Sequence, residues 1–312
     1  MIRSILSLLL RALVVVSGAS IVTFILLWNA PGDPALAIAM ARYHQVVSAD
    51  VLDQVRNEVG LDAGFWSAFK AWIGPLLAGD FGKSTVTDRE VWPELVTAMS
   101  YTFPLAMLAL VCGMCVALPL AILATKHPGS VLDRAAIGMA SLGAAIPPYW
   151  LGLLLILLFA VYLDWLPAMG ALSTTHMVLP ALTLGLGVTA SLTRIIRSGI
   201  LDAREQAFLP AFRRRCVLSR NIGRDHIAPH ATIPVITVFG LELAFLLEGL
   251  VMVEVIFGRP GLGSFLVNAI EARDFPKVQA VVLLTALVFV VINLIIDVIY
   301  QVIDPRIGEH DA

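Results

Sequence analysis

Long uninterrupted runs of hydrophobic residues alternate along this chain with shorter intervals where polar residues collect. Six runs reach the roughly 20 residues a helix needs to cross a bilayer, at 7–29, 101–124, 135–163, 177–198, 231–257 and 279–303. A lone segment in lipid satisfies its backbone N–H and C=O groups only as a helix, so the pattern predicts an all-α, polytopic membrane protein. The first run mimics a secretory signal, with Arg3 ahead of it and "SGAS" at 17–20 as a cleavage-like site. Its uncharged stretch nevertheless continues from Ala12 to Ala30, longer than a signal core of about 7–15 residues. It is expected to remain as an anchor, with Arg11 snorkelling to the headgroups.

Between the first two runs lies the one long polar interval, 30–100, giving three regions: 1–29 with the first span, 30–100 outside, and 101–312 with five spans and a polar loop at 199–230. The interval opens on the turn-rich "APGDPA". Further on, "SADVLDQVRNEVGL" (48–61) predicts a short helix, with Ser48 as N-cap, apolar Val51, Leu52, Val55 and Val59 on one side, and Gly60 as its stop. A small helical segment on the outer face follows.

Composition agrees with the pattern. Of 312 residues 59% are hydrophobic and 14% charged, and a mean hydropathy of +0.88 is more than one soluble core hides. Charge sets the orientation. Arg3 and Arg11, Lys126 and Arg134, and eight arginines between 194 and 230 fall on one side if six spans alternate, while 30–100 carries nine acids against five bases. The basic side reads as cytoplasm, with both termini inside.

Several motifs are decoys. Cys112 and Cys115 form "CGMC" within an apolar run, where packing explains them better than redox chemistry, and Cys216 stands apart in the arginine loop. "LAGDFGKS" (77–84) ends like a phosphate-binding P-loop, but the glycine required five positions before Gly82 is Leu77. There is no G-x-S-x-G, no H-E-x-x-H and no metal-ligand spacing of Cys and His, so no enzyme and no resident metal is expected. His226 and His230 belong to a solvated cationic loop, and "EHDA" (309–312) reads as a tail. Nothing points to nucleic acid.

The arginine loop stands out. Arg213, Arg214, Arg215, Arg220 and Arg224 alternate with Phe208, Leu209, Phe212, Val217, Leu218 and Ile222, a pattern for a short amphipathic helix between two spans. Attraction to anionic lipid is one role for such a segment; passing force to both spans is another.

Ordered landmarks carry a resemblance over nearly the whole chain: "NAPGDPA", "GDFGKS", "IPPYWLGLLL" (146–155), "LPAMG" (166–170), "HMVLPALTL" (176–184), "IPVITVFGLEL" (233–243), "VEVIFGRPGLG" (253–263), "AIEARDFPKVQA" (269–280) and "IDPRI" (303–307). The sequence resembles the transmembrane permease subunit of the peptide/nickel family of bacterial ABC importers. That resemblance implies the type I importer permease fold in the bacterial inner membrane. It also implies a second homologous permease, two ATP-binding subunits that hold ATP and Mg, and an extracytoplasmic substrate-binding protein. It places a coupling helix in the loop before "IPVIT", making Phe212, Arg213, Arg214, Arg215, Cys216, Val217, Leu218 and Arg220 the expected contacts to the ATPase. Cys216 departs from the glycine the family carries there, so this turn or its partner differs.

For the translocation path, polar residues within the apolar runs are the candidates: Glu242, Glu248, Asn293 and Asp297. Glu242, Glu248 and Glu254 are spaced six apart, about 120° around a helix, so the three cannot share one narrow stripe. Glu254 matches an acid of the family beside "PGLG"; Glu248 matches none. Pro147, Pro148 and Pro234 interrupt spans as hinge candidates, and Gly261 and Gly263 are candidates for an outer gate. An acidic outer surface, acids in the fifth span and no buried arginine set for a peptide carboxylate lean toward nickel or a metal chelate, with dipeptides or oligopeptides as the alternative. A secondary transporter, the rival class, would need an inverted repeat, and none is evident.

Overall fold

The structure is a computed structural model and describes residues 2–43, 47–206 and 228–303. It is helical: among the described residues β-structure is limited to a single antiparallel bridge between Lys83 and Glu90. The chain divides into two units, one of Met1–Thr102 with Pro260–Val291 and the other of Phe103–Arg259 with Ile292–Ala312.

The first unit begins with α1 (Ile2–Trp28), whose Val15, Val22 and Leu26 share one face and are exposed as a lipid-facing side requires. Three short helices follow in the 30–100 segment: α2 (Pro34–Tyr43), α3 (Ala49–Val59) and α4 (Phe65–Leu77). The predicted helix near 48–61 is α3, and Gly60 ends it in the left-handed region at φ +70, its N–H returning to the Arg56 carbonyl. Ser48 has the extended backbone of an N-cap, but its side chain makes no capping bond. Sequence reasoning missed α2 and α4. A small core of Ala35, Ile38, Ala39 and Val55 joins α2 to α3. Phe65, Phe69 and Trp72 of α4 pack edge-on or stacked against Phe24 of α1 at ring-centroid distances of 5.2–5.4 Å. The rest of the unit is the start of α5 (Val91–Ala124), then α10 (Leu262–Glu271) and the first part of α11 (Phe275–Ile303), closed around Val91, Leu95, Leu262, Val281 and Leu284.

In the second unit α8 (Val178–Arg204) is the central element, packed against α6 (Val131–Ala145), α7 (Pro148–Leu155) and α9 (Ala228–Ile256). Its core runs through Leu105, Leu110, Leu184, Val188, Leu192, Leu246, Leu250 and Phe257. A Cβ added to Gly113 would stand 2.7 Å from Val188 Cγ1, so the glycine of "CGMC" lets α5 approach α8. Thr189 Oγ1 donates to the Gly113 carbonyl across the same contact, at 3.3 Å.

Among the described residues Val91–Ala124, Thr174–Arg204 and Phe275–Ile299 are long and apolar enough to cross a membrane. The crossing expected over 135–163 is broken instead of continuous: Val131–Ala145 and Pro148–Tyr162 meet at 98°. Ile146 and Pro147 are extended there, because a residue before proline is pushed out of the α region and Pro148 can only open a new helix. Beyond α7 the helix loosens to π-helical turns over Ile156–Tyr162. The remaining expected spans, 7–29 and 231–257, coincide with α1 and α9.

Candidate functional site: a polar pair between two core helices and a pinned turn

Glu242 lies midway along α9, where the surrounding sequence is apolar, and is 8% exposed. Its carboxyl group is hydrogen-bonded by Ser191 of α8, and the exposed Arg194 lies one turn further along that helix without forming an ion pair with it among the described contacts. Ser191 and Arg194 are three residues apart and share a face. Sequence reasoning counted Arg194 among the cytoplasmic arginines and passed over Ser191; their i, i+3 spacing inside an apolar helix was the available signal. A carboxylate, a hydroxyl and a guanidinium together can receive both an ammonium and a carboxylate group.

The other path candidates are dispersed. Glu248 lies on α9 six residues beyond Glu242, and Pro234 is inside the same helix. Asn293 is exposed and Asp297 half-buried on α11. Glu254 is fully buried near the end of α9, its carbonyl accepting from the Arg259 N–H at 2.8 Å. Pro147 and Pro148 stand at the 98° bend. Gly261 is the N-cap of α10, and Gly263 is buried in its first turn. No cluster of three or more His, Cys, Asp or Glu side chains suited to a metal occurs among the described residues.

At the basic end of the second unit, α8 is fixed to the 125–134 turn at two points. Arg197 grips buried Asp133 through both oxygens, Nε to Oδ1 at 2.5 Å and one terminal nitrogen to Oδ2 at 2.7 Å. Asp133 also accepts from the Gly129 N–H at 2.8 Å, and Ser130 caps α6 by accepting from the Asp133 N–H at 3.3 Å. Two turns further along, Arg204 donates to the Thr125 carbonyl. α8 ends at Arg204, and α9 begins at Ala228. The expected coupling contacts Phe212, Arg213, Arg214, Arg215, Cys216, Val217, Leu218 and Arg220, with Arg224, lie outside the described residues.

Residues 117–309 match the family described as binding-protein-dependent transport system inner membrane component, and residues 1–106 match the N-terminal region of such membrane components. The chain belongs to this family. It is a permease subunit of an ABC importer. The permease is 36% identical over 288 residues to the glutathione transport system permease protein GsiC of Escherichia coli (strain K12) and of Shigella dysenteriae serotype 1 (strain Sd197), covering 92% of this chain and 93% of each relative. In fold it is similar to the inward-facing MetNI methionine ABC transporter (TM-score 0.55, 17% identity, 67% of this chain and 96% of that one) and to an amino acid ABC transporter crystallised with histidines (TM-score 0.54, 18% identity, 67% and 94%). A permease of this family is a non-catalytic membrane subunit that works with a partner permease, ATPase subunits and a binding protein. The lean toward nickel finds no support among these relatives, which favour the peptide alternative.

Proposed function

We propose that this permease carries small peptides, dipeptides or tripeptides of the glutathione kind, through the bacterial inner membrane into the cytoplasm. The observation that carries this reading is the 36% identity to glutathione permeases across nine-tenths of both chains. The polar pair on α8 and α9 supports it: Glu242 suits a peptide ammonium and Arg194 a peptide carboxylate, the two charges every zwitterionic peptide presents.

In this scheme the binding protein delivers the peptide at the acidic outer face, and this chain with a second permease forms the path. Two partner subunits bind ATP and Mg. Arg213, Arg214, Arg215 and Arg220 dock the ATPase from the cytoplasm, with both termini of the permease on that side. Force on the loop reaches α8 directly, and the Arg197–Asp133 and Arg204–Thr125 contacts pass it to the 125–134 turn.

Uptake of labelled glutathione, a labelled dipeptide and radioactive nickel is to be measured in parallel in cells with and without the chain. Loss of peptide uptake with nickel uptake unchanged is expected. Loss of nickel uptake alone would replace this reading with the metal one.

A further inference from the structure

Three segments far apart in sequence meet in the first unit on residues 273–277, which end the turn after α10 and open α11. Asp274 is 1% exposed. Its Oδ2 accepts from Ser84 Oγ at 2.5 Å, and its Oδ1 accepts from the Thr85 N–H at 3.1 Å and from Thr85 Oγ1 at 3.3 Å. Ser84 Oγ in turn accepts the N–H groups of Val86 and Thr87, which folds its own turn around the contact. The neighbouring Arg273 sits in the left-handed region at φ +52 and sends its guanidinium to the carbonyls of Ala30, Pro31 and Gly32. Gly32 permits that approach, since a Cβ there would stand 3.1 Å from the guanidinium.

The links continue on both sides. Thr85 offers its carbonyl to Arg42 of α2 at 2.8 Å, and Arg42 pairs with Glu58 of α3 at 2.9 Å. Lys277, in the first turn of α11, pairs with Glu94 of α5 at 2.7 Å, lies 3.7 Å from Asp274 and covers the Phe265 ring. A continuous polar chain thus runs α3, α2, Thr85, Asp274, α11, α5. An aspartate at the start of a helix ordinarily caps its own N–H groups; Asp274 spends its oxygens on the outer segment instead.

We infer that Asp274 is a positioning residue for transport: it clamps the outer segment to the turn that opens the last span, and this clamp stays closed throughout the cycle, so that residues 30–90 and the outer ends of α10 and α11 move as one body. Neither transport chemistry nor substrate choice is assigned to it. The "GDFGKS" stretch that imitates a P-loop is one jaw of this clamp.

The test uses the complete importer in lipid nanodiscs, read by ATP hydrolysis with and without its binding protein. Ser84→Cys and Asp274→Cys are combined in a chain whose three native cysteines are alanine. Under reducing conditions stimulation by the binding protein is expected to fall about tenfold, the loss of a charge-assisted hydrogen bond or more. Basal hydrolysis is expected to persist. Closing the disulfide with copper phenanthroline is expected to restore stimulation and to succeed equally in the resting and vanadate-trapped states. A disulfide that abolishes stimulation would overturn the inference by showing that the clamp must open, as would a reduced pair with wild-type stimulation. If the double variant does not assemble, Ser84→Ala, which removes the donor to Asp274 Oδ2 and leaves the carboxylate in place, is expected to lower stimulation several-fold at wild-type complex levels; unchanged stimulation there overturns the inference equally.

Discussion

Asp133 and Asp274 are both buried, and both hold a turn to a helix, but different chemistry satisfies them. Asp133 faces a guanidinium that neutralises it through two parallel bonds, with side-chain exposures of 2% for the acid and 21% for the arginine. Asp274 is held mainly by a hydroxyl and a Thr85 N–H and hydroxyl, while its nearest cation, Lys277, is nearer to Glu94. The first arrangement depends on charge and the second on hydrogen-bond number. This charge pair resists loss of its arginine sharply, because Asp133 alone is a buried ion; a hydrogen-bonded acid tolerates loss of its charge better than loss of its acceptors.

Arg197→Ala is therefore expected to have the largest effect. It leaves Asp133 buried and unpaired, costing about 3–5 kcal/mol and lowering the thermal midpoint of the purified complex steeply. Arg197→Lys keeps the charge but loses the two-pronged geometry, and a smaller loss is expected. Equal losses for the two variants would show that geometry, not charge, holds this turn. Asp274→Asn, which keeps an acceptor for Thr85, is expected to cost about 1–3 kcal/mol by the same measurement. If it costs as much as Arg197→Ala, the contrast between the aspartates fails and Asp274 depends on Lys277 after all.

Gly113→Ala sharpens the contrast with a purely steric contact. Its Cβ would meet Val188 at 2.7 Å and the Gly185 carbonyl at 3.1 Å, so α5 and α8 must separate. Overpacking of this kind costs about 1–3 kcal/mol. Alanine at Cys112 or Cys115 is expected to change the midpoint less, which would confirm that the glycine, and not the thiols, explains "CGMC".

What was legible in the sequence follows from the same physics. The spans could be read because lipid forbids alternatives, so an uncharged run of the right length has one outcome. The break at Ile146–Pro148 was readable as an interruption but not as a 98° turn, since proline states where a helix stops and not where the next one points. In the outer segment, Asp33 followed by Pro34 was a start signal for α2, with the Asp33 carboxylate accepting from the Ala35 N–H at 2.9 Å, yet the run of Pro and Gly around it read as a turn. For α4, Gly74 and Pro75 near its end disguised an aromatic helix. Asp274 was quoted within a family landmark but its partner was invisible, because 190 positions separate it from Ser84 and no local pattern spans that distance. Of the path candidates Glu242 stood out as an acid in an apolar run, whereas Ser191 and Arg194 acquire meaning only once α8 lies beside it.

The smallest effects distinguish two serines that look alike in sequence. Ser48 and Ser130 each precede a helix with an acid in its first turn, and both have the extended backbone of an N-cap. Only Ser130 makes the capping bond, to the Asp133 N–H, and that N–H belongs to the residue Arg197 grips. Ser130→Ala should thus cost about 1 kcal/mol, and because the cap and the ion pair share Asp133, its effect should shrink once Arg197 is alanine. Ser48→Ala removes no bond and should leave the midpoint unchanged. A matching loss at Ser48 would mean that its hydroxyl does cap α3 in solution, and that the outer segment is held by its own helix ends as well as by the clamp on Asp274.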